Sequence, residues 1–179
     1  MSELRSALDE LAGLDLAELS PDAVLDLNAE LLQASNRLAS LLTTAVREAD
    51  RREAFRRDGA VTMKTWLRGH LRMAGAEASA VLSAGRRLEQ LPELASAFAA
   101  GHVTPRHVQA VTEAITPARV TKAAQVGLDL GETDRILTEL ASATAPEDTA
   151  KGVREWVAGI DPDGTLDDAA DVRRRFRMV

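Results

Sequence analysis

The chain contains no cysteine and no tyrosine, and only three histidines, two tryptophans and three phenylalanines among its 179 residues. Without cysteine it holds no disulfide, iron–sulfur cluster, zinc ribbon or thiol nucleophile. The histidines supply a metal site poorly: His102 and His107 stand five apart across an expected turn, His70 is distant, and no HExxH spacing occurs. There is also no DxDxDG loop, Walker lysine, GxSxG elbow or GxGxxG after a strand. The expectation is a chain with no catalytic residue, no cofactor and no evident small-molecule substrate. Its apolar runs are a few residues long, against the ~20 that a spanning helix needs, so no membrane segment is expected. The N-terminal stretch MSELRSALDELAGLDL carries acids where a secretory signal carries a basic region, which predicts a cytoplasmic protein.

What is abundant points to helices. Alanine (32) and leucine (24) far outnumber the β-branched and aromatic strand formers, and apolar positions recur at steps of three and four with no sustained alternation. The fold class read from this is all-α: a multi-helix bundle with one long N-terminal helix and consecutive short helical hairpins.

The long helix is the clearest element. Ser20-Pro21 is a cap hydroxyl followed by a proline at the first helical position, and Asp22 and Asp26 suit the positive end of the dipole. Val24, Leu27, Leu31, Ala34, Leu38, Leu41 and Ala45 then follow in unbroken 3-4 steps, and no glycine intervenes before Asp58-Gly59. This seam, with Val24, Leu27, Leu31, Leu38 and Leu41 as its anchors, reads either as the core face of a central helix or as a coiled-coil-like dimer seam. Further helices are expected from about Thr62, around Ala78 to Leu88, over Pro92 to Ala100 with Gly101 as C-terminal stop, and after Thr104-Pro105 and Thr116-Pro117. Gly131 should end the last of these, with two more helices over Thr133 to Ala143 and Pro146 to Ala158. Core positions are expected at Leu67, His70 or Leu71, Ala78, Val81, Leu82, Leu88, Val108, Val111, Ile115, Val120, Ala124, Leu128, Ile136, Leu137, Leu140, Val153, Val157 and Ile160. Trp66 and Trp156 read as core anchors, and Gly85 as a point of close backbone approach. The organisation predicted is a short helix and linker over 1–19, a helical domain over 20–160, and a turn at Asp161-Pro162-Asp163-Gly164 leading to a basic tail over 161–179.

Charge is segregated. Residues 1–46 carry two basic and eight acidic groups, whereas residues 47–87 carry ten basic and five acidic, nine of the ten being arginine. Arginine's planar fork suits bidentate phosphate contacts, so Arg51, Arg52, Arg56, Arg57, Lys64, Arg68, Arg72, Arg86 and Arg87 are candidates for a nucleic-acid backbone footprint. The competing reading pairs these side chains with neighbouring acids, in keeping with a pI near 5.1. Two helix–break–helix units follow one another, one around Met73-Ala74-Gly75 and one around Gly101 to Thr104, which is helix-turn-helix spacing. In the second, Arg106, His107 and Gln109 would open the recognition helix, with Arg106 and Gln109 as base-edge candidates. In the first, Glu77 and Ser79 suit DNA less.

Several runs in order, namely Asp58-Gly59-Ala60, Trp66-Leu67, AGAEASAVLSAGRRLEQLPELASAFAAGHVTPRHVQAV and Ile160-Asp161-Pro162-Asp163-Gly164, resemble the actinobacterial 13E12 repeat family, also called domain of unknown function 222. The likeness spans roughly Leu25 to Arg175. It implies an N-terminal region of proteins that commonly continue into an HNH endonuclease domain, in which a histidine activates water and a divalent metal stabilises the leaving oxygen. No residue here matches that metal site, and the family transfers no catalytic role. Two functions follow as expectations: a DNA-binding or targeting module for a tethered nuclease, or a helical scaffold that dimerises through the long helix.

Overall fold

Ser20 and Pro21 open the longest element as expected. The Ser20 hydroxyl accepts a hydrogen bond from the Ala23 N–H, and the helix runs Pro21–Arg51, 31 residues, or about 46 Å at 1.5 Å per residue. The computed structural model describes residues 2–160; the turn and basic tail expected over 161–179 lie outside the described residues. In chain order the helices are α1 (Ser2–Ala12), α2 (Pro21–Arg51), α3 (Met63–His70), α4 (Gly75–Arg87), α5 (Pro92–Ala100), α6 (Pro105–Ala114), α7 (Pro117–Gln125), α8 (Leu130–Ala143) and α9 (Pro146–Ile160). There is no strand among the described residues, so the all-α multi-helix bundle is the fold.

Two boundaries differ from the sequence reading. α2 stops at Arg51 rather than at Asp58-Gly59: Glu53 turns left-handed (φ 51°), and Ala54–Asp58 wind into a 3-10 turn closed by Gly59 at φ 76°. That turn delivers Phe55 into the core, which a straight continuation of α2 would carry past it. Further on, Gly127 (φ 81°) ends α7 and Gly131 lies inside α8, because the Asp129 carboxylate caps α8 at the Glu132 N–H.

The core has two parts. Leu91, Leu94 and Phe98 of α5 and its N-cap pack with Val108 and Val111 of α6, Leu137 and Ala141 of α8, and Val153 and Val157 of α9. Val46, Phe55, Met63, Leu67 and Ala78 form the second part between α2, α3 and α4. Trp66 and Trp156 are half-buried and pack against these clusters from the edge. The expected core residues His70, Leu71, Ala124, Leu128 and Ile136 are instead exposed, with Ala123 and Leu137 taking the buried stripes of α7 and α8. Gly85 is buried and faces Thr43 and Arg47 of α2, as its lack of a side chain suggested.

A nine-residue helix such as α5 is too short to hold itself in water, and its two ends are clamped from elsewhere in the fold. The buried Asp134 carboxylate of α8 accepts from the Glu93 and Leu94 N–H groups (2.8 and 3.2 Å) at the N-terminus. At the C-terminus, Asn36 and Gln33 of α2 donate to the carbonyls of Gly101 and Ala100 (3.0 and 3.1 Å). Gly101 holds φ at 85°, and a Cβ there would stand 2.5 Å from the Gln33 carbonyl oxygen. Gly59 has a similar φ of 76°, but a Cβ there would meet nothing within 4 Å. Gly59→Ala should therefore cost only about 1 kcal/mol of left-handed strain. Gly101→Ala should cost about 3 kcal/mol or more, since it also separates α5 from α2. Urea unfolding of both variants measures the difference, and equal losses would contradict the clamp.

Candidate interaction surfaces

The side of α2 that meets the bundle is polar or small from Asn36 to Thr43 and turns apolar at buried Val46. Asn36 and Thr43 are buried, Ala39 and Ser40 half-buried. At ~100° per residue, Leu27, Leu31, Ala34, Leu38, Leu41 and Ala45 fall about half a turn away from Asn36. The heptad seam therefore points outward: Leu31, Leu38 and Leu41 are exposed, Leu41 to 67%, while Val24 and Leu27 are half-buried. Leu25 (67%) and Leu32 (57%) widen the bare surface. Taken as a core face of this chain, the seam is overturned, because α2 buries its other side. α1 repeats the pattern with Leu4, Leu8 and Leu11, all exposed at i, i+4, i+7 spacing. The sequence reading passed over these three leucines, although their spacing signals an amphipathic helix.

Half of the basic block is held in ion pairs. Glu48 takes Arg51 (2.7 Å) and Arg52 together, Arg56 pairs with Glu53 at 2.7 Å, Arg47 with Glu89 at 2.8 Å, and Arg86 with Asp50 at 2.7 Å. Arg87 donates to the Ile115 carbonyl at the end of α6. Arg57, Lys64, Arg68 and Arg72 have no acidic partner among the described residues, and they cluster in sequence on the 3-10 turn, α3 and the residues just after it. Beside them the Trp66 indole donates to Asp58 at 2.6 Å and His70 stacks on the Trp66 ring, so the tryptophan is anchored.

α6 is not a projecting recognition helix. His107, Val108, Val111, Thr112 and Ala114 are buried, and α6 lies between α4 and α9. His107 serves the fold: its Nδ1 accepts from the Thr104 N–H and its Nε2 donates to the Thr144 carbonyl, each at 3.0 Å. Of the groove-reading candidates, Gln109 donates to Glu113 at 2.8 Å and Arg106 shares a shallow surface with Glu113 and Glu147, an acidic setting for a base-edge contact. In the first unit, Glu77 is exposed and the Ser79 hydroxyl bonds back to the Gly75 carbonyl.

A separate groove of about 360 Å³ opens between α2, α4 and α6, floored by Ala39, Leu42, Ala80, Val81, Phe98 and Val108, with Glu77, Arg106 and Gln109 on its rim. No group of three or more histidine or carboxylate side chains among the described residues could hold a metal ion. No helix among them is long and apolar enough to cross a membrane.

Among the described residues the chain is thus an all-helical bundle with bare leucine faces and a partly ion-paired basic block. The family model described as a domain of unknown function, DUF222, matches residues 25–178, and the chain belongs to that family. No curated protein and no solved structure matches it.

The Glu48 knot makes a direct prediction. Hydrogen bonds from Arg51 and Arg52 hold the Glu48 carboxyl down at about 2. A lowered folded value adds stability above the ordinary carboxylate range that is lost as pH falls towards 2, here weakly, because the group is solvent-screened. Carboxyl ¹³C titration should show Glu48 ionised until about pH 2 and, in an Arg51→Ala/Arg52→Ala variant, titrating in the ordinary range.

Proposed function

We propose that this chain is a non-catalytic assembly module that pairs with a second copy of itself through the outward seam of α2. The observation that supports the reading is the inverted helix: α2 gives its polar side to its own bundle and keeps its leucines outside. Contiguous apolar surface of this kind marks an interaction site. A two-fold interface must be self-complementary, and the seam suits antiparallel pairing about Ala34, which lies midway between Leu27 and Leu41 and near the midpoint of Leu31 and Leu38. That register sets Leu27 against Leu41 and Leu31 against Leu38, with a small residue where the helices come closest. It also sets Glu30 near Arg37 of the other copy on one flank, and neither has an ionic partner among the described residues.

Light scattering on the purified chain should give twice the chain mass. Leu31→Lys/Leu38→Lys should halve it while leaving the circular dichroism and melting transition nearly intact, since both side chains are exposed in the single chain. Glu30→Arg and Arg37→Glu should each weaken association several-fold, and the two together should restore it. A monomer at all concentrations removes the proposal.

A second reading rests on Arg57, Lys64, Arg68 and Arg72, which have no acidic partner among the described residues and, unlike Arg87, no carbonyl partner either. They could contact a phosphate backbone and so hold an HNH nuclease domain, carried elsewhere in such a protein with its own divalent metal, near DNA. Duplex DNA anisotropy across salt concentrations tests it. Binding should weaken with salt at ~0.9 in log K per phosphate contact, and Lys64→Ala/Arg68→Ala should lower that slope by about two contacts. Arg51→Ala/Arg52→Ala should change it little.

A further inference from the structure

We infer that α1 is an exchanged arm: in the dimer proposed above, on which this inference rests, α1 of each copy seats in the groove between α2, α4 and α6 of the other. Two apolar surfaces motivate it. α1 presents a single stripe of Leu4, Leu8 and Leu11 to solvent and packs substantially on no other described element. The groove offers a floor of Leu42, Ala80, Val81 and Val108 with space of about 360 Å³, enough for two or three leucine side chains. An isolated helix of eleven residues is marginal in water, so α1 needs a surface to lie on.

Geometry favours the groove of the second copy over the chain's own. Leu42 lies 21 residues along α2 from Pro21, about 30 Å away at 1.5 Å per residue. To bring its own α1 there, the chain would have to draw residues 13–20 nearly straight, at ~3.3–3.6 Å per residue, and open the Leu16–Glu18 turn that Asp15 caps. Antiparallel pairing about Ala34 removes that demand. It puts Pro21 of one copy opposite residue 47 of the other, about five residues, or roughly 8 Å, beyond Leu42. The segment 13–20 then needs only to cross the width of a helix. Charge agrees: α1 carries Glu3, Asp9 and Glu10 against Arg5, and its linker adds Asp15 and Glu18. They would arrive beside Arg106 on the groove's rim, which has no acidic partner among the described residues; Glu77 shares that rim.

The absence of native cysteine makes the test clean. Chains carrying a single cysteine at Leu4, Leu8 or Leu11 are mixed with chains carrying one at Ala76 or Ala80, and oxidised under conditions where the wild type is dimeric by light scattering. A disulfide needs Cα atoms within about 7 Å, so non-reducing gels should show a crosslinked pair for at least one combination and none for a control cysteine at exposed Val61. Hydrogen exchange gives the independent readout: α1 amides should be protected at least tenfold in the dimer and lose that protection in Ala80→Trp, which fills the groove. A dimer whose α1 amides exchange freely and whose cysteine pairs do not crosslink overturns the arm and leaves the α2 pairing standing. A disulfide that closes within one chain, seen as a faster-migrating monomer in a Leu8→Cys/Ala80→Cys double variant, overturns the exchange in favour of the chain's own arm. A monomeric wild type overturns both.

Discussion

Everything distinctive about this molecule depends on how α2 meets the turn between α5 and α6. A helix C-terminus leaves carbonyls without intrahelical donors, and the end of α5 is pressed against another helix instead of facing water. Asn36 and Gln33 supply the missing donors to Gly101 and Ala100. Only glycine can hold φ at 85° with a carbonyl oxygen of α2 where a Cβ would stand. Once α2 must present amides to that turn, its leucines cannot face the same way. The helix is rotated by its polar contacts, and its apolar stripe is left pointing outward.

This is why the helices were legible in the sequence and the outward turn of the seam was not. Cap signals are local: Ser20-Pro21, Thr104-Pro105 and Thr116-Pro117 each mark a helix start where the hydroxyl accepts from the backbone N–H three positions into the helix. Periodicity likewise says that α2 has an apolar side. It does not say which side the rest of the chain will cover, because that is set by Gly101, 65 residues away from Asn36. The buried Asn36 breaks no rule of the 3-4 pattern, since it belongs to the other stripe. Its pairing with a backbone carbonyl is visible only in three dimensions. The Phe55 turn was hidden for a related reason: the run after Arg51 suits a helix locally, and the gain from burying an aromatic ring outweighs continuing it.

The charged residues carry a parallel lesson. Ten basic groups within 41 residues look like a phosphate footprint when counted along the chain. Placed on helices, Glu48 sits three and four residues before Arg51 and Arg52, Glu53 three before Arg56, and Asp50 opposite Arg86. Each arginine that already holds a carboxylate would have to give it up to bind phosphate, so the net exchange gains less than a free cation would. The useful count is therefore the residual set Arg57, Lys64, Arg68 and Arg72, all on the 3-10 turn, α3 or just beyond it.

The helix-turn-helix spacing around Gly101 shows how one feature serves two ends. In a DNA-reading unit the second helix keeps its first turn free for base edges. Here the first turn of α6 is used by the fold: His107 closes a capping box on Thr104 and reaches across to the Thr144 carbonyl, so it joins α6 to α8. With α4 and α9 on its flanks, α6 keeps only a narrow exposed strip, and Glu113 contributes a negative charge to it. The same packing that holds α6 between α4 and α9 builds the apolar trough between α2, α4 and α6. A helix committed to the core on most of its circumference leaves a concave edge where its neighbours diverge, and that edge suits a slender amphipathic helix better than a flat duplex surface.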